Sequence, residues 1–185
     1  SQLEAPFVRI LGDLSPAPDG EVDDAVVLKA LRALIPYAEE KGVTLLVETN
    51  GVYADTSRLA SLLNQIESDS IGALWDMHHP YRYGNETPEQ TVQNLGAYIK
   101  YTHIKDSVME NGRVAYKMMG EGDLPVDAIM RALRSINYEG YISLEWLKSY
   151  MPELNDAGVV FPQFTHFMSQ YLGGADESRR LYDDN

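Results

Sequence analysis

The sequence predicts an α/β fold in which parallel strands alternate with helices. Short apolar runs alternate with amphipathic segments five times along the 185 residues, without a linker between them, and this alternation is typical of βαβ units. Residues 43–49 form a largely apolar run that ends in Glu48 and Thr49, as expected for a parallel strand covered on both faces. We therefore expect a single domain over residues 1–185, built from about five βα units.

The predicted elements follow one another in a regular order. Strands are expected at residues 7–11, 43–49, 71–75, 101–104 and 140–146. Helices are expected to begin at Asp23 or Asp24, at Asp55 or Thr56, at Thr87, at Pro125 and at Phe161. Residues 107–122 are expected to form a long loop and the acidic residues 173–185 a frayed tail.

Two helix boundaries are strongly marked. Asp23 or Asp24 can cap a helix whose apolar residues recur at helical spacing, and Gly42 suits the left-handed position after its end. Thr87 followed by Pro88 is typical of a helix start, because threonine caps the helix and proline fits its first turn.

Two architectures contain such alternating units, an open doubly wound sheet and a (β/α) barrel. A doubly wound nucleotide-binding sheet normally has a glycine-rich turn after its first strand, and residues 11–16 have no such pattern. The polar candidate residues instead follow several different strands, as they do in barrels. Since a complete barrel takes about 250 residues, the sequence favours a partial one.

Composition and charge exclude several classes of function. The chain has no cysteine, which excludes disulfides and thiolate metal sites, and a reducing cytoplasm is the expected compartment. It has neither a membrane-length apolar run nor a signal-peptide pattern, so no membrane partner is expected. The formal charge of -13 disfavours nucleic acid, whose binders need a basic face.

Four potential metal ligands stand near the ends of four successive apolar runs: Glu48, Asp76, His103 and Glu145. Burying carboxylates at strand ends is costly unless something compensates their charge. A divalent cation removes that cost, and carboxylate and imidazole ligands suit Mn²⁺, Mg²⁺, Co²⁺ or Zn²⁺. The pattern predicts one metal site.

Other polar residues near these runs have two interpretations each. Asp76 is either a metal ligand or a turn cap. His79 is a candidate to bind a substrate hydroxyl, or it packs beside Pro80. Lys105 binds a substrate oxygen or pairs with Asp106, and Arg9 is a further substrate-binding candidate if it reaches the mouth of the barrel.

These residues resemble the metal ligands of the xylose-isomerase-like TIM barrels, a superfamily of sugar isomerases, epimerases and inosose dehydratases. The resemblance covers about residues 7–172 and rests on the segments 75–80, 103–106, 120–123 and 140–146. It implies that the four ligands end barrel strands five to eight and that the chain is the C-terminal part of the barrel, from strand four onward. Because an open parallel sheet exposes its edges, a homodimer is also expected.

The resemblance implies a metal-dependent isomerase or epimerase that acts on a small sugar or polyol, free or phosphorylated, through an enediolate. Glu48 and Glu145 would be the catalytic base and acid, and Asp106 would orient His103 or Lys105 from behind. An inosose-type dehydratase with the same metal site and a truncated, non-catalytic barrel are the alternatives. An AP endonuclease is disfavoured, because residues 113–117 lack the Asp-x-His pair that its zinc site needs.

Overall fold

The computed structural model describes residues 4–172, and the predicted tail at 173–185 lies outside them. The strands are β1 (Phe7–Ile10), β2 (Thr44–Glu48), β3 (Ile71–Asp76), β4 (Ile99–Ile104), β5 (Asp106–Glu110), β6 (Arg113–Lys117) and β7 (Ile142–Leu144). The α-helices are α1 (Asp24–Lys41), α2 (Thr56–Leu63), α3 (His78–Tyr83), α4 (Pro88–Leu95), α5 (Val126–Ser135) and α6 (Ala157–Leu172). Short 3-10 helices lie at Gly51–Ala54 and Gly96–Tyr98.

The described chain divides into two compact units. The first comprises residues 4–104 and 127–143, and the second comprises residues 105–126 and 144–172. The predicted single domain over residues 1–185 stays a prediction.

A five-stranded sheet has the order β1-β2-β3-β4-β7, and β1 with β2, β2 with β3 and β3 with β4 are paired in parallel. Each of these strands is separated from the next by helix, as the alternating pattern requires. The predicted α/β class and partial TIM barrel are confirmed. The order leaves β1 and β7 at the edges of this sheet.

The marked helix boundaries are confirmed. The Asp23 carboxylate accepts a hydrogen bond from the backbone N–H of Ala25, and Gly42 ends α1 in the left-handed conformation with φ +62°. Thr87 and Gln90 form a reciprocal capping box at the start of α4, directly before Pro88.

The core of the first unit is built around β2 and β3. All six residues of β3 are buried, and so are the last four of β2. Helix α1 buries Leu31, Ile35 and Ala38, while α2 buries Leu59, Leu62 and Leu63. Because both strands are covered by apolar side chains, a carboxylate at either strand end is held in a largely dry environment.

The structure differs from the prediction between residues 106 and 117. Instead of a loop, β5 and β6 form an antiparallel hairpin in the second unit. Asn111 and Gly112 have φ values of 51° and 75° at its turn, which matches a two-residue Asn-Gly turn. Helix α3, which is absent from the predicted helices, is a second difference.

Among the described residues, we find no helix with the length and apolar character that crossing a membrane requires.

Candidate active site

Three of the four predicted metal ligands come together in the first unit. Glu48 is the last residue of β2, Asp76 the last residue of β3, and His103 the last but one of β4. Asp76 and His103 are register partners across the parallel β3–β4 pair. One oxygen or nitrogen atom from each of the three side chains lies within 4.8 Å of the others. This follows from topology, since the carboxyl ends of adjacent parallel strands meet at one edge of the sheet.

The Glu48 carboxylate is held on both sides. Its side chain is 2% exposed, Oε2 accepts a hydrogen bond from Nη1 of Arg9 at 3.2 Å, and Oε1 lies 3.0 Å from Nδ1 of His103. Arg9 projects from β1 and is 42% exposed. The partly exposed guanidinium therefore donates to a buried carboxylate. This charge-assisted hydrogen bond fixes the carboxylate in one orientation.

Asp76 is fully buried, and its carboxylate contacts the start of α3. Oδ1 accepts a hydrogen bond from the backbone N–H of His78 at 2.9 Å, and Oδ2 lies 3.5 Å from Nε2 of His79. His79 Nδ1 lies 3.2 Å from the carbonyl oxygen of Thr49. One ligand atom each from Asp76, His78 and His79 also lie within 4.8 Å of one another. The structure thus sets Asp76 beside His79, as their spacing predicts.

A concave space of about 580 Å³ borders this group within the first unit. It is lined by Pro6, Phe7, Arg9, Leu46, Leu74, Tyr101, His103 and Tyr141. Its volume is within the range of small-molecule sites, and its lining of mostly apolar side chains with a few polar groups is typical of them. Two of the candidate residues, Arg9 and His103, face it.

In the second unit, Lys105 and Glu145 form an ion pair. Nζ of Lys105 donates to Oε2 of Glu145 at 2.6 Å, and the side chains are 1% and 25% exposed. A buried ammonium needs such a partner, because an isolated charge in the interior is strongly unfavourable. Glu145 directly follows β7, whereas the predicted strand at residues 140–146 included it.

Asp106 has contacts that differ from those expected of it. Its buried carboxylate accepts four backbone N–H groups, at distances between 2.8 and 3.1 Å, from Ser107, Gly120, Gly122 and Leu124. It was expected to orient His103 or Lys105. In the structure these hydrogen bonds of the carboxylate fix residues 120–124, and Gly122 is required there because a Cβ atom would lie 2.0 Å from Oδ1.

The donors of the first unit fit a divalent cation. Glu48 and Asp76 supply carboxylate oxygens that are almost completely shielded from water, and His103 supplies an imidazole nitrogen. Two buried carboxylates this close repel each other, and a cation between them compensates both charges. The ligand types are those of Mn²⁺, Mg²⁺, Co²⁺ and Zn²⁺ sites.

Sequence reasoning missed Thr49, the fully buried residue after Glu48. Its hydroxyl bonds to the main chain of Asp76, at 2.9 Å from N and 3.2 Å from O. A hydroxyl residue at the end of a buried run was the available signal, since a buried hydroxyl requires a hydrogen-bond partner.

The fold and the site together point to one family of barrels. Residues 1–159 match the xylose isomerase-like TIM barrel family, and the chain belongs to that family. The predicted resemblance is confirmed.

Curated relatives include epimerases and dehydratases. Fructoselysine 3-epimerase of Escherichia coli O157:H7 is 27% identical over 128 residues, which are 66% of this chain and 46% of the relative. Inosose dehydratase of Clostridium perfringens is 25% identical over 134 residues, covering 63% of this chain and 45% of the relative. The chain therefore spans about half the length of these relatives.

Solved structures support the same fold. D-allulose 3-epimerase from Methylomonas sp. has a TM-score of 0.72 at 16% identity, covering 88% of this chain and 63% of that chain. The IOLI protein, solved with a zinc atom, has a TM-score of 0.69 at 18% identity, covering 89% and 62%. At these identities the solved structures show the barrel fold alone.

Proposed function

We propose that this protein is a divalent-metal-dependent isomerase or epimerase of a small sugar or polyol, free or phosphorylated, and that it acts through an enediolate. The observation that carries the proposal is the convergence of Glu48, Asp76 and His103 at the carboxyl ends of β2, β3 and β4. That edge is where barrel enzymes hold their catalytic residues. The adjoining space of about 580 Å³ is large enough for a monosaccharide.

Glu48, Asp76 and His103 would hold the cation, and we take Glu145 as the fourth ligand from its position directly after β7 in the sequence. When bound, a divalent cation supplies Lewis-acid stabilisation to negative charge that develops on substrate oxygen. The candidate cations to be measured are Mn²⁺, Mg²⁺, Co²⁺ and Zn²⁺. Zn²⁺ is included because the related IOLI structure contains a zinc atom.

In the proposed reaction, Glu48 accepts the proton from the carbon next to the substrate carbonyl. The C–H electron pair forms a carbon–carbon double bond as the carbonyl π pair moves onto its oxygen, and the product is the enediolate. Arg9 holds the Glu48 carboxylate in a fixed orientation at 3.2 Å, which favours proton transfer along one line of approach.

Glu145 is proposed to return a proton to the substrate. Return to the opposite face of the same carbon gives the epimer. Return to the adjacent carbon, together with transfer of the hydroxyl proton to the former carbonyl oxygen, converts an aldose into a ketose or the reverse. Lys105 donates to Glu145 at 2.6 Å and would orient this second carboxylate. Lys105 is also a candidate to bind a substrate oxygen.

His79 is proposed to bind a substrate hydroxyl or oxyanion. Its Nδ1 faces the Thr49 carbonyl, so the ring is held on one side and Nε2 is directed toward Asp76. Arg9 borders the concave space and is a second candidate for substrate binding.

A second candidate function is an inosose-type dehydratase, which the similarity to the Clostridium perfringens relative favours. The same base would remove the proton, and the neighbouring carbon would then lose its hydroxyl group as water. The two candidates differ in product: an isomer has the mass of its substrate, whereas a dehydration product is lighter by one water.

Proton exchange in D₂O tests the proposal directly. Metal-depleted protein is incubated with a panel of ketoses, aldoses and inososes, with and without Mn²⁺, Mg²⁺, Co²⁺ or Zn²⁺, and the products are examined by NMR and mass spectrometry. We expect metal-dependent deuterium incorporation next to the carbonyl, its loss in Glu48→Gln, and its retention in Glu139→Gln, an exposed control. Tight metal binding without exchange or product on any substrate would contradict the proposal and favour a non-catalytic barrel.

A further inference from the structure

Thr49 is fully buried between the strands that end in Glu48 and Asp76. It follows β2 directly, and its backbone N–H donates to the carbonyl of Leu74 at 3.0 Å. In a regular parallel ladder, the next hydrogen bond would run from the N–H of Asp76 to the carbonyl of Thr49. In the structure the N–H of Asp76 instead donates to the side chain of Thr49.

The Thr49 hydroxyl takes the place of the Thr49 carbonyl. The N–H of Asp76 donates to Oγ1 of Thr49 at 2.9 Å, and the same hydroxyl donates to the carbonyl of Asp76 at 3.2 Å. One side-chain group therefore satisfies both main-chain polar groups of Asp76. Loss of the hydroxyl would remove this partner of the buried Asp76 carbonyl. It would also let the Asp76 N–H return to the Thr49 carbonyl, as in a regular ladder.

The Thr49 carbonyl is thereby available to His79. Nδ1 of His79 lies 3.2 Å from this oxygen, and because a carbonyl can only accept, Nδ1 carries the hydrogen in this contact. Nε2, the other ring nitrogen, lies 3.5 Å from Oδ2 of Asp76. The hydroxyl and the carbonyl of one residue thus fix two neighbouring site residues.

We propose that Thr49 is a positioning residue that holds Asp76 and His79 in register with each other, a role that rests on the function proposed above. It does not touch substrate in this proposal. Its hydroxyl fixes the backbone that carries Asp76. Because the Asp76 N–H bonds to this hydroxyl, the Thr49 carbonyl is left to accept from the His79 ring and orient it. The alternative is that Thr49 only fills space at the end of β2.

Thr49→Val and Thr49→Ser separate these two roles. Valine keeps the shape but lacks the hydroxyl, whereas serine keeps the hydroxyl and loses a methyl group. We expect Thr49→Val to lower Mn²⁺ affinity roughly tenfold or more, the effect typical of residues that orient metal ligands. Thr49→Ser should remain close to the wild-type affinity. Isothermal titration calorimetry gives both values.

Two further readouts are measured separately from metal affinity, with kcat and KM taken at saturating Mn²⁺. Nitrogen-15 NMR of the His79 ring should show a protected Nδ1–H in the wild type and in Thr49→Ser, and its loss in Thr49→Val, because the freed N–H of Asp76 would recapture the Thr49 carbonyl. On a substrate that the wild type converts, kcat should fall in Thr49→Val more than KM changes, and Thr49→Ser should restore it. A residue that only fills space would move neither.

Thr49→Ala supplies a second variant without the hydroxyl, and the proposal requires it to behave as Thr49→Val does. If the wild type converts no substrate while the His79 signal still depends on the hydroxyl, the proposed function fails and the positioning role stands. If Thr49→Val and Thr49→Ala keep the wild-type Mn²⁺ affinity and the His79 signal, the positioning role is overturned, whatever the activity.

Discussion

Nδ1 of His103 lies 3.0 Å from Oε1 of Glu48, although the two residues are 55 positions apart in the sequence. Glu48 ends β2 and His103 lies near the end of β4, with β3 between them in the sheet. The contact spans the end of β3, where Asp76 lies. The three side chains therefore surround one point at the edge of the sheet.

Replacing Glu48 by glutamine should weaken divalent metal binding. The amide keeps the shape of the side chain but removes a charged ligand, so we expect Mn²⁺ affinity to fall at least as far as the roughly 10–100-fold seen when residues behind metal ligands are changed. Calorimetric titration measures the loss. Glu139→Gln, on an exposed residue, should bind like the wild type, and equal affinities in both variants would remove Glu48 from the site.

The meeting of Glu48, Asp76 and His103 was predictable from the sequence. Parallel strands joined by helices bring their carboxyl ends to one edge, so residues at those ends become neighbours once the strands are identified. The caps at Asp23 and Thr87 were predictable for a similar reason, because each bonds only to residues near it in the chain.

Contacts between distant loop residues were not predictable in the same way. Asp106 accepts from Gly120 and Gly122, and no periodicity links residues that far apart. The exchange of the Thr49 carbonyl for its hydroxyl joins residues that are 27 positions apart, and no local pattern marks it. The hairpin turn at residues 111–112 did have a local signal, its Asn-Gly pair, but the long polar segment around it favoured a loop.

Asp106→Asn should destabilise the second unit. The amide replaces one carboxylate oxygen by a donor, which then faces backbone N–H groups that cannot accept. Each buried donor left unsatisfied costs about 1–3 kcal/mol, and each oxygen of Asp106 serves two donors. Urea unfolding monitored by tryptophan fluorescence gives the change, since Trp146 lies in this unit.

Glu121→Gln is the matched control for Asp106→Asn, because Glu121 is exposed in the segment that Asp106 fixes. It should unfold at the wild-type urea concentration. Similar stability in the two variants would mean that the four hydrogen bonds of Asp106 contribute little to the fold.

Gly51→Ala should be more costly than Gly42→Ala. Both glycines have left-handed φ values, +58° and +62°, so alanine costs about 1–2 kcal/mol at either position. At Gly51 a Cβ atom would also lie 2.2 Å from Asp13, whose carboxylate accepts from the N–H of Val52 at 3.1 Å, whereas nothing lies within 4 Å of the corresponding position at Gly42.

This comparison also tests the packing of the loop after β1. Asp13 must move to admit the extra methyl group, and such overpacking typically adds about 1–3 kcal/mol. Free energies of unfolding from chemical denaturation give the two values. Equal losses in the two variants would show that Asp13 yields without cost and that the loop is loosely attached.

The Asp24–Arg58 pair should make stability depend on pH at the acid end. Arg58 donates to both oxygens of Asp24 at 3.0–3.2 Å, and Tyr53 donates to Oδ1 at 2.9 Å. The hydrogen bonds from Arg58 lower the pKa of Asp24 below its ordinary value, against the opposing effect of burial, and the hydrogen bond from Tyr53 lowers it further. Burial, and then the carboxylate of Asp24, raise the pKa of Tyr53.

Because the pKa of Asp24 is lower in the folded state than in the unfolded chain, its contribution is complete above the unfolded value of about 3.9 and is lost as the pH falls through the folded value. Asp24→Asn removes the contribution at every pH. We therefore expect the wild type to be more stable than Asp24→Asn at neutral pH, and the difference to shrink once the pH falls below about 4. Thermal unfolding between neutral and acid pH measures it, with the exposed Asp19→Asn as the control. A difference that stays constant down to the lowest pH would mean that Arg58 does not stabilise the charged form of Asp24.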